Sequence, residues 1–541
     1  MRVSSPTLWR LVYGSVVLLF TWIVAHYYIP GQGFTYLIEF GELNHSVYLP
    51  EVKAVNHFEL PRSRGYDGQW YAQIAVHPNI GDPALNKSVD TLPYRARRIL
   101  FSVTAWVLGA GDPFRVMNAY ALQNIACWYL LAGLLLRWFP PRSLGNFFRW
   151  SAILFSFGLV FSVRGSLVDG PSLLLVAAGM ALIESDRPVW AALLFGVSGL
   201  GKDTSVLSAS ALRFPDSSKP RARAVGLLQI ALVLLPVLLW VLCLELWIGH
   251  GSEVGARNFS PPFSGFWNKG IDSLSGLVAV GTSAGGRALF DVLMLVGLLA
   301  QFLFFIVRIR WRDSWWRLGA VHAALMAFLG DSVWADYPSA AARVLLPMTL
   351  AFNVLVPRGR WWPTLLLLGN LGVLGSAEII RSSMPDKTTQ RYVVEGPSDL
   401  RFHTPDNIGV SVTYLPGNWW APETLRIPSR LKEEYWRWSM GDGSISVHNP
   451  QPFTLLCDLS LGMATLEPRT VTVTANGIPA WSGEIMPARY SPISIAGLVL
   501  PPGDTVLVFH SDQPASSPTP GDRRRLAFSV RNLKIVLTGK R

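Results

Sequence analysis

Apolar residues fill most of the first 380 positions in long runs, then alternate with polar ones to the end of the chain. Runs such as Leu11–Val24, Leu227–Val241, Val292–Val307 and Leu365–Leu374 read as membrane helices. The pattern predicts spans at about 9–28, 115–138, 147–165, 169–185, 225–249, 287–308, 314–331, 338–356 and 360–379. Two segments need separate treatment. Residues 92–111 are apolar but carry Arg95, Arg97 and Arg98, so they read as an amphipathic helix lying in the membrane interface. Residues 189–212 are interrupted at GLGKDTS and read as two short helices meeting at Lys202–Asp203, which brings the crossings to about eleven. After about residue 381, TVTVTAN, ISIAGLVL, TVLVFHS and LKIVLTG repeat with period two, an all-β pattern. The expected fold is a polytopic α-helical membrane domain over 1–380, with residues 29–111 as an outer loop carrying interfacial helices. An all-β sandwich of the jelly-roll or carbohydrate-binding kind follows over 381–541.

Composition supports a membrane protein. Charged residues are only 15% of the chain, against roughly 25% in soluble domains. Tryptophans such as Trp138, Trp247, Trp311, Trp315, Trp316, Trp361 and Trp362 cluster at span ends, where amphipathic rings settle. The net charge of +12 does not point to nucleic acid, because much of it lies in short loops that set orientation. Placing those loops inside puts the N-terminus in the cytoplasm. The odd number of crossings then puts the β domain outside the cytoplasmic membrane. Cys127, Cys243 and Cys457 form no C-x-x-C and read as small hydrophobes rather than zinc ligands or a disulfide framework.

This topology gathers ionisable residues at one membrane depth. They are Asp67, the Arg95/Arg97/Arg98 trio, Asp169 in LVDGP, Lys202 and Asp203. Asp331, Asp336 and Arg343 in GDSVWADYPSAAARVLLP join them. Ionisable groups near hydrocarbon are costly and mark substrate paths. Carboxylates supply general bases, while Arg and Lys bind phosphate, so the set suits a lipid that carries a phosphate and a reacting hydroxyl. Each residue has a plainer reading. Asp67 and Asp169 could cap the helices that follow them, and the arginines could hold lipid phosphates.

GYDGQWYAQIA is similar to a stretch in the mannosyltransferases of GPI-anchor synthesis. LVDGP and LGKDTS resemble turns in lipid A aminoarabinose and protein O-mannosyltransferases. Together with the layout of residues 1–380, these motifs resemble the GT-C superfamily, membrane glycosyltransferases that take sugars from polyprenyl-phosphate carriers. The resemblance implies that Asp67 is the general base. It implies that Arg95, Arg98, Lys202 and Arg343 hold the donor phosphate. Asp169 would orient a basic partner or a sugar hydroxyl, and Tyr66, Gln69, Trp70, Tyr71, Asp203 and Asp336 are further substrate-orienting candidates. Many members pair two acids in the first loop, but Gly65 stands where the second would be. No cofactor is expected; a divalent metal, with Glu39, Glu42, Glu51 or Glu59 as the second acid, is the alternative that no paired-acid motif supports. The expected function is inverting sugar transfer to an envelope glycan or lipid-linked acceptor at the outer face. The expected partners are donor, acceptor and membrane lipids. The alternatives are a flippase for lipid-linked sugars and a noncatalytic glycan-binding partner. In the β domain, NWWAPE and YWRWS make Trp419, Trp420, Glu423, Trp436 and Trp438 candidate glycan contacts; core packing is the plainer reading.

Overall fold

The computed structural model describes residues 5–29, 31–60, 63–212, 220–249, 257–279, 283–335, 337, 339–382, 392–395, 410–415, 418–420, 423–427, 432–487, 490–518 and 524–541. Two compact units emerge. One is Met1–Tyr27 with Phe34–Met384, and the other is Tyr28–Gly33 with Pro385–Arg541.

The first unit is helical. Its helices are α1 (Ser5–Ala25), α2 (Gly68–Val76), α3 (Leu100–Leu108), α4 (Pro113–Leu135), α5 (Leu144–Leu154), α6 (Phe157–Arg164), α7 (Asp169–Glu184), α8 (Pro188–Gly201) and α9 (Pro220–Ile248). They continue with α10 (Ser264–Gly276), α11 (Ser283–Val307), α12 (Ser314–Phe328), α13 (Asp331–Trp334), α14 (Ala340–Val344), α15 (Leu346–Leu355), α16 (Trp362–Gly369) and α17 (Val373–Ser382). Among the described residues, three stretches within α1, α9 and α11 are long and apolar enough to cross a bilayer alone. Counting the bent pairs α5/α6 (45°) and α16/α17 (41°) as single spans makes five, against the eleven expected. The other expected crossings fall on shorter helices, or on α4, whose Asn124 is buried and donates to the Leu167 carbonyl. Residues 92–111 form a short helix at Leu92–Arg95, a 3-10 turn and α3. The last turns of α3 expose Trp106, Val107 and Leu108. The chain breaks at Lys202, whose extended backbone separates α8 from a 3-10 helix over Asp203–Ala211.

A two-residue parallel pair, β1 (Phe40–Gly41) and β2 (Glu59–Leu60), ties the loop after α1 together. The second unit holds β3 (Tyr392–Glu395), β4 (Ser411–Tyr414), β5 (Glu423–Ile427), β6 (Lys432–Trp438), β7 (Gly443–Asn449) and β8 (Leu455–Thr465). It ends with β9 (Arg469–Ala475), β10 (Ile478–Ile485), β11 (Ser491–Leu500), β12 (Gly503–Ser511) and β13 (Phe528–Lys540). One sheet runs β10-β9-β12-β7-β4, and the other runs β11-β8-β13-β6-β5 with β3 paired in parallel to β13. Alternate residues of β8, β9 and β12 point inward, as their period-two sequences require. Val471, Val473, Leu507 and Phe509 from one sheet meet Leu459, Met463, Ile493 and Ile535 from the other in one core.

Candidate functional site

The loop that carries Asp67 is held by backbone fit. Gly65 has φ +69°, and a Cβ there would lie 2.3 Å from the Glu39 carbonyl oxygen. No side chain, acidic or otherwise, fits at that position. A Cβ on Gly68 would lie 2.4 Å from the Gly165 carbonyl oxygen. The two glycines therefore let residues 38–41, 65–68 and 165 touch by backbone, with Asp67 between them. Tyr66 N donates to the Glu39 carbonyl at 3.0 Å. Gln69 locks the start of α2: its Oε1 accepts from Gly41 N (3.2 Å) and Tyr48 Oη (2.7 Å), and its Nε2 donates to the Arg64 carbonyl (2.7 Å). Gln73 does the same one turn on, accepting from Leu49 N (2.9 Å) and donating to the Ser88 carbonyl (2.7 Å).

Asp67 occupies the N-cap position of α2, yet its carboxylate caps nothing. Its Oδ1 accepts instead from Arg95 Nη2 at 2.8 Å. Arg95 also binds Asp90 with Nε at 3.0 Å and Nη2 at 2.8 Å, so one guanidinium bridges two carboxylates. Arg98 donates to Asp203 (2.9 Å), to Tyr71 Oη (2.9 Å) and to Tyr94 Oη (2.9 Å). Asp169 is the first residue of α7 and likewise caps nothing. One of its oxygens takes the Lys202 ammonium and the other takes Arg343 Nη1 at 3.3 Å. Arg343 also donates to Tyr66 Oη at 3.0 Å and packs over the Tyr66 and Phe161 rings. Beside this set, Arg164 pairs with Glu39 at 3.0 Å.

The network thus joins residues from α2, α7, α14, the break at Lys202–Asp203 and the segment before α3. Of the sequence candidates, it brings together Asp67, Tyr66, Tyr71, Arg95, Arg98, Asp169, Lys202, Asp203 and Arg343. Gln69 is spent on the loop, and Trp70 is half-buried on α2. Asp336 lies outside the described residues. In the other unit, Trp419 is a core residue, packed on Tyr414 and Phe528 with its Nε1 donating to the Ser444 carbonyl. Trp420 donates to the Arg525 carbonyl, Glu423 pairs with Arg524 at 2.6 Å and Trp436 lies under Arg531. Trp438 is half-buried on β6.

Burial pushes the Asp67 carboxyl up, but Arg95, Arg343 and Arg98 together pull harder and hold it below the usual carboxylate range. It is therefore a carboxylate at neutral pH, about one third exposed at 32%. Nearby, Glu59 is brought down to about 2: burial pushes it up, and bonds from His45 and His57 outweigh that.

Sequence reasoning passed over Asp90, Tyr94 and Arg164. A signal for Tyr94 is present: it stands four residues before the Arg98 it holds, a spacing that one helical turn brings together, whereas Asp90 reaches Arg95 across five residues from the turn that precedes the helix. Among the described residues, no group of three or more His, Cys, Asp or Glu is arranged to hold a metal ion.

No protein-family model and no curated protein matches the chain. Among solved structures it is similar to the arabinosyltransferase EmbB from Mycobacterium smegmatis, at 11% identity and a TM-score of 0.26. That match covers 81% of this chain, which spans 59% of EmbB.

Proposed function

We propose that the chain is an inverting membrane glycosyltransferase. It moves a sugar from a polyprenyl-phosphate donor to an envelope glycan or lipid-linked acceptor at the outer face of the cytoplasmic membrane. The observation that supports this reading is the network of ion pairs Arg95–Asp67, Arg98–Asp203 and Lys202–Asp169–Arg343, drawn from five separate segments and linked through the adjacent residues 66–67 and 202–203. Such a network is expensive to bury and is no requirement of a helical core.

In the proposed reaction, Asp67 takes the proton from the acceptor hydroxyl as that oxygen attacks the anomeric carbon. The bond from that carbon to the carrier phosphate breaks on the opposite side. One base suffices, because no covalent sugar–enzyme intermediate forms. Arg95, Arg98, Lys202 and Arg343 neutralise charge on the departing phosphate. All four already face carboxylates, so the phosphate binds by taking over cations from Asp90, Asp203 and Asp169. Tyr66 and Tyr71 keep Arg343 and Arg98 aimed while partners change. In the β unit, Trp420, Glu423, Trp436 and Trp438 remain the candidates for glycan contact.

The test compares glycolipids and surface glycans in cells carrying wild-type protein or Asp67→Asn at equal abundance. An amide cannot take the proton, so one sugar disappears and its lipid-linked donor accumulates. Unchanged glycans would remove Asp67 from the chemistry and return the flippase and binding-partner readings.

A further inference from the structure

A cleft of about 340 Å³ opens between α10 and α13, lined by Asn268, Lys269, Ile271, Asp272, Asp331 and Trp334. It lies at the small end of ligand pockets, which run from roughly 300 to 1,000 Å³. Its walls are positioned from behind. Lys269 is buried and pairs with Asp291 of α11 at 2.6 Å, and Asp291 Oδ1 has no hydrogen-bond partner among the described residues. Residues 258–260 run along 328–330 by backbone bonds, Gly330 N to Asn258 O at 2.8 Å and Ser260 N to Phe328 O at 3.0 Å. That pairing sets α10 against α13. Asn268 Nδ2 then donates to Asp331 Oδ1 at 3.0 Å, across the cleft.

The cleft is joined to the ionic network by a short strut. Arg98 donates to Tyr94 Oη at 2.9 Å, Asn258 Nδ2 donates to the same oxygen at 3.3 Å, and Ser332 donates to Asn258 Oδ1 at 3.2 Å. Ser332 follows Asp331 directly. The cleft is thus connected to Arg98 through Ser332, Asn258 and Tyr94.

The lining decides the ligand class. Asp272 and Asp331 face one lysine that Asp291 already neutralises, so an anion is repelled. An apolar chain would strand both exposed carboxylates. A neutral polyol fits: carboxylates accept from hydroxyls, Asn268 offers both a donor and an acceptor, and the exposed Ile271 side chain covers a C–H face. We propose that this cleft is the subsite that holds the hydroxyl-bearing sugar of the acceptor. The assignment rests on Asp67 being the base of a sugar transfer, yet it is tested without transfer.

The experiment uses the full-length protein in lipid nanodiscs and a panel of methyl glycosides, pyranosides and furanosides, read by saturation-transfer NMR. Wild type should bind one glycoside of the panel. Asp331→Asn and Asn268→Ala, both at exposed positions, should weaken it about tenfold or more. Unchanged binding in both variants, no glycoside bound by wild type, or Mg²⁺ bound in place of any glycoside would each overturn the assignment. Failure of the transfer reading shows elsewhere, as unchanged cell glycans with Asp67→Asn.

Discussion

Arg149 and Arg343 are both nearly fully buried in the helical unit, at 2% and 7% exposure, and they are satisfied by opposite means. Arg149 donates to two carbonyls at the end of α15, Asn353 O at 2.6 Å and Val356 O at 2.8 Å. Arg317 does likewise at the end of the 3-10 helix, with Ser210 O and Ala211 O each at 2.7 Å. A helix C-terminus has unpaired carbonyls and a partial negative charge, so a cation there completes the helix and needs no further explanation. Arg343 instead faces a carboxylate on α7 and a phenol beside α2. Its partners carry a full charge or a transferable proton and come from elements distant in sequence. The difference teaches where to look for chemistry: a buried cation among carbonyls is architecture, while one among carboxylates from several segments is poised to exchange partners.

The largest effect should come from breaking each kind of site in turn. Asp169→Asn leaves Lys202 and Arg343 buried without their shared anion and should cost about 3–5 kcal/mol of unfolding free energy. Arg149→Met leaves two carbonyls short of a donor and should cost about 1–3 kcal/mol. Unfolding in mixed micelles reads both. Transfer should vanish with Asp169→Asn and should follow the folded fraction with Arg149→Met. Equal costs and equal loss of transfer would erase the distinction.

A smaller effect sharpens it, through pH. The Asp67 carboxyl is held down by arginines against a burial that raises it. A carboxyl lowered in the folded state adds stability above its unfolded value, near 3.9, and that stability is lost as pH falls through the folded value. As a base it works only when ionised, so wild-type transfer should persist into acid. Removing the largest downward pull, with Arg95→Gln, should move the acid limb of the pH–rate profile up by about 1–3 units. A limb that stays in place would mean that Arg95 does not set the charge of Asp67.

The sequence carries different parts of this structure with different clarity. Period-two strands such as β8 and β9 are plain in it, because each inward residue is apolar and its neighbours are not. The break at Lys202 is plain too, since two glycines lead into a pair of charges inside an apolar run. Asp67 and Asp169 stand out because neither belongs in hydrocarbon, but their true partners are long-range. Asp169 meets Arg343 across 174 positions, and only packing reveals that. Asp90 is hidden for the opposite reason, being an ordinary acid in an ordinary turn. Trp419 misleads, because a tryptophan that fills a β core and one that presents a ring to solvent look alike in sequence. The count of crossings is least legible, since apolar runs such as those around residues 188–201 and 346–355 fold into helices too short to cross a bilayer alone.

The smallest effect tests whether ion pairing by itself, rather than burial, separates the two kinds of arginine. Arg524 meets Glu423 at 2.6 Å, closer than Arg95 meets Asp67 at 2.8 Å, but both side chains are about one third exposed, at 37% and 34%. Water solvates either charge once the other is gone, and salt screens the attraction while it lasts. Arg524→Ala should therefore cost about 0–1 kcal/mol, read as the thermal transition of the β unit within the full chain. That small cost should shrink further as salt is added. A loss near that of Asp169→Asn would show that short carboxylate contacts stabilise wherever they occur. The Asp67–Asp169 network would then need no functional explanation for its burial.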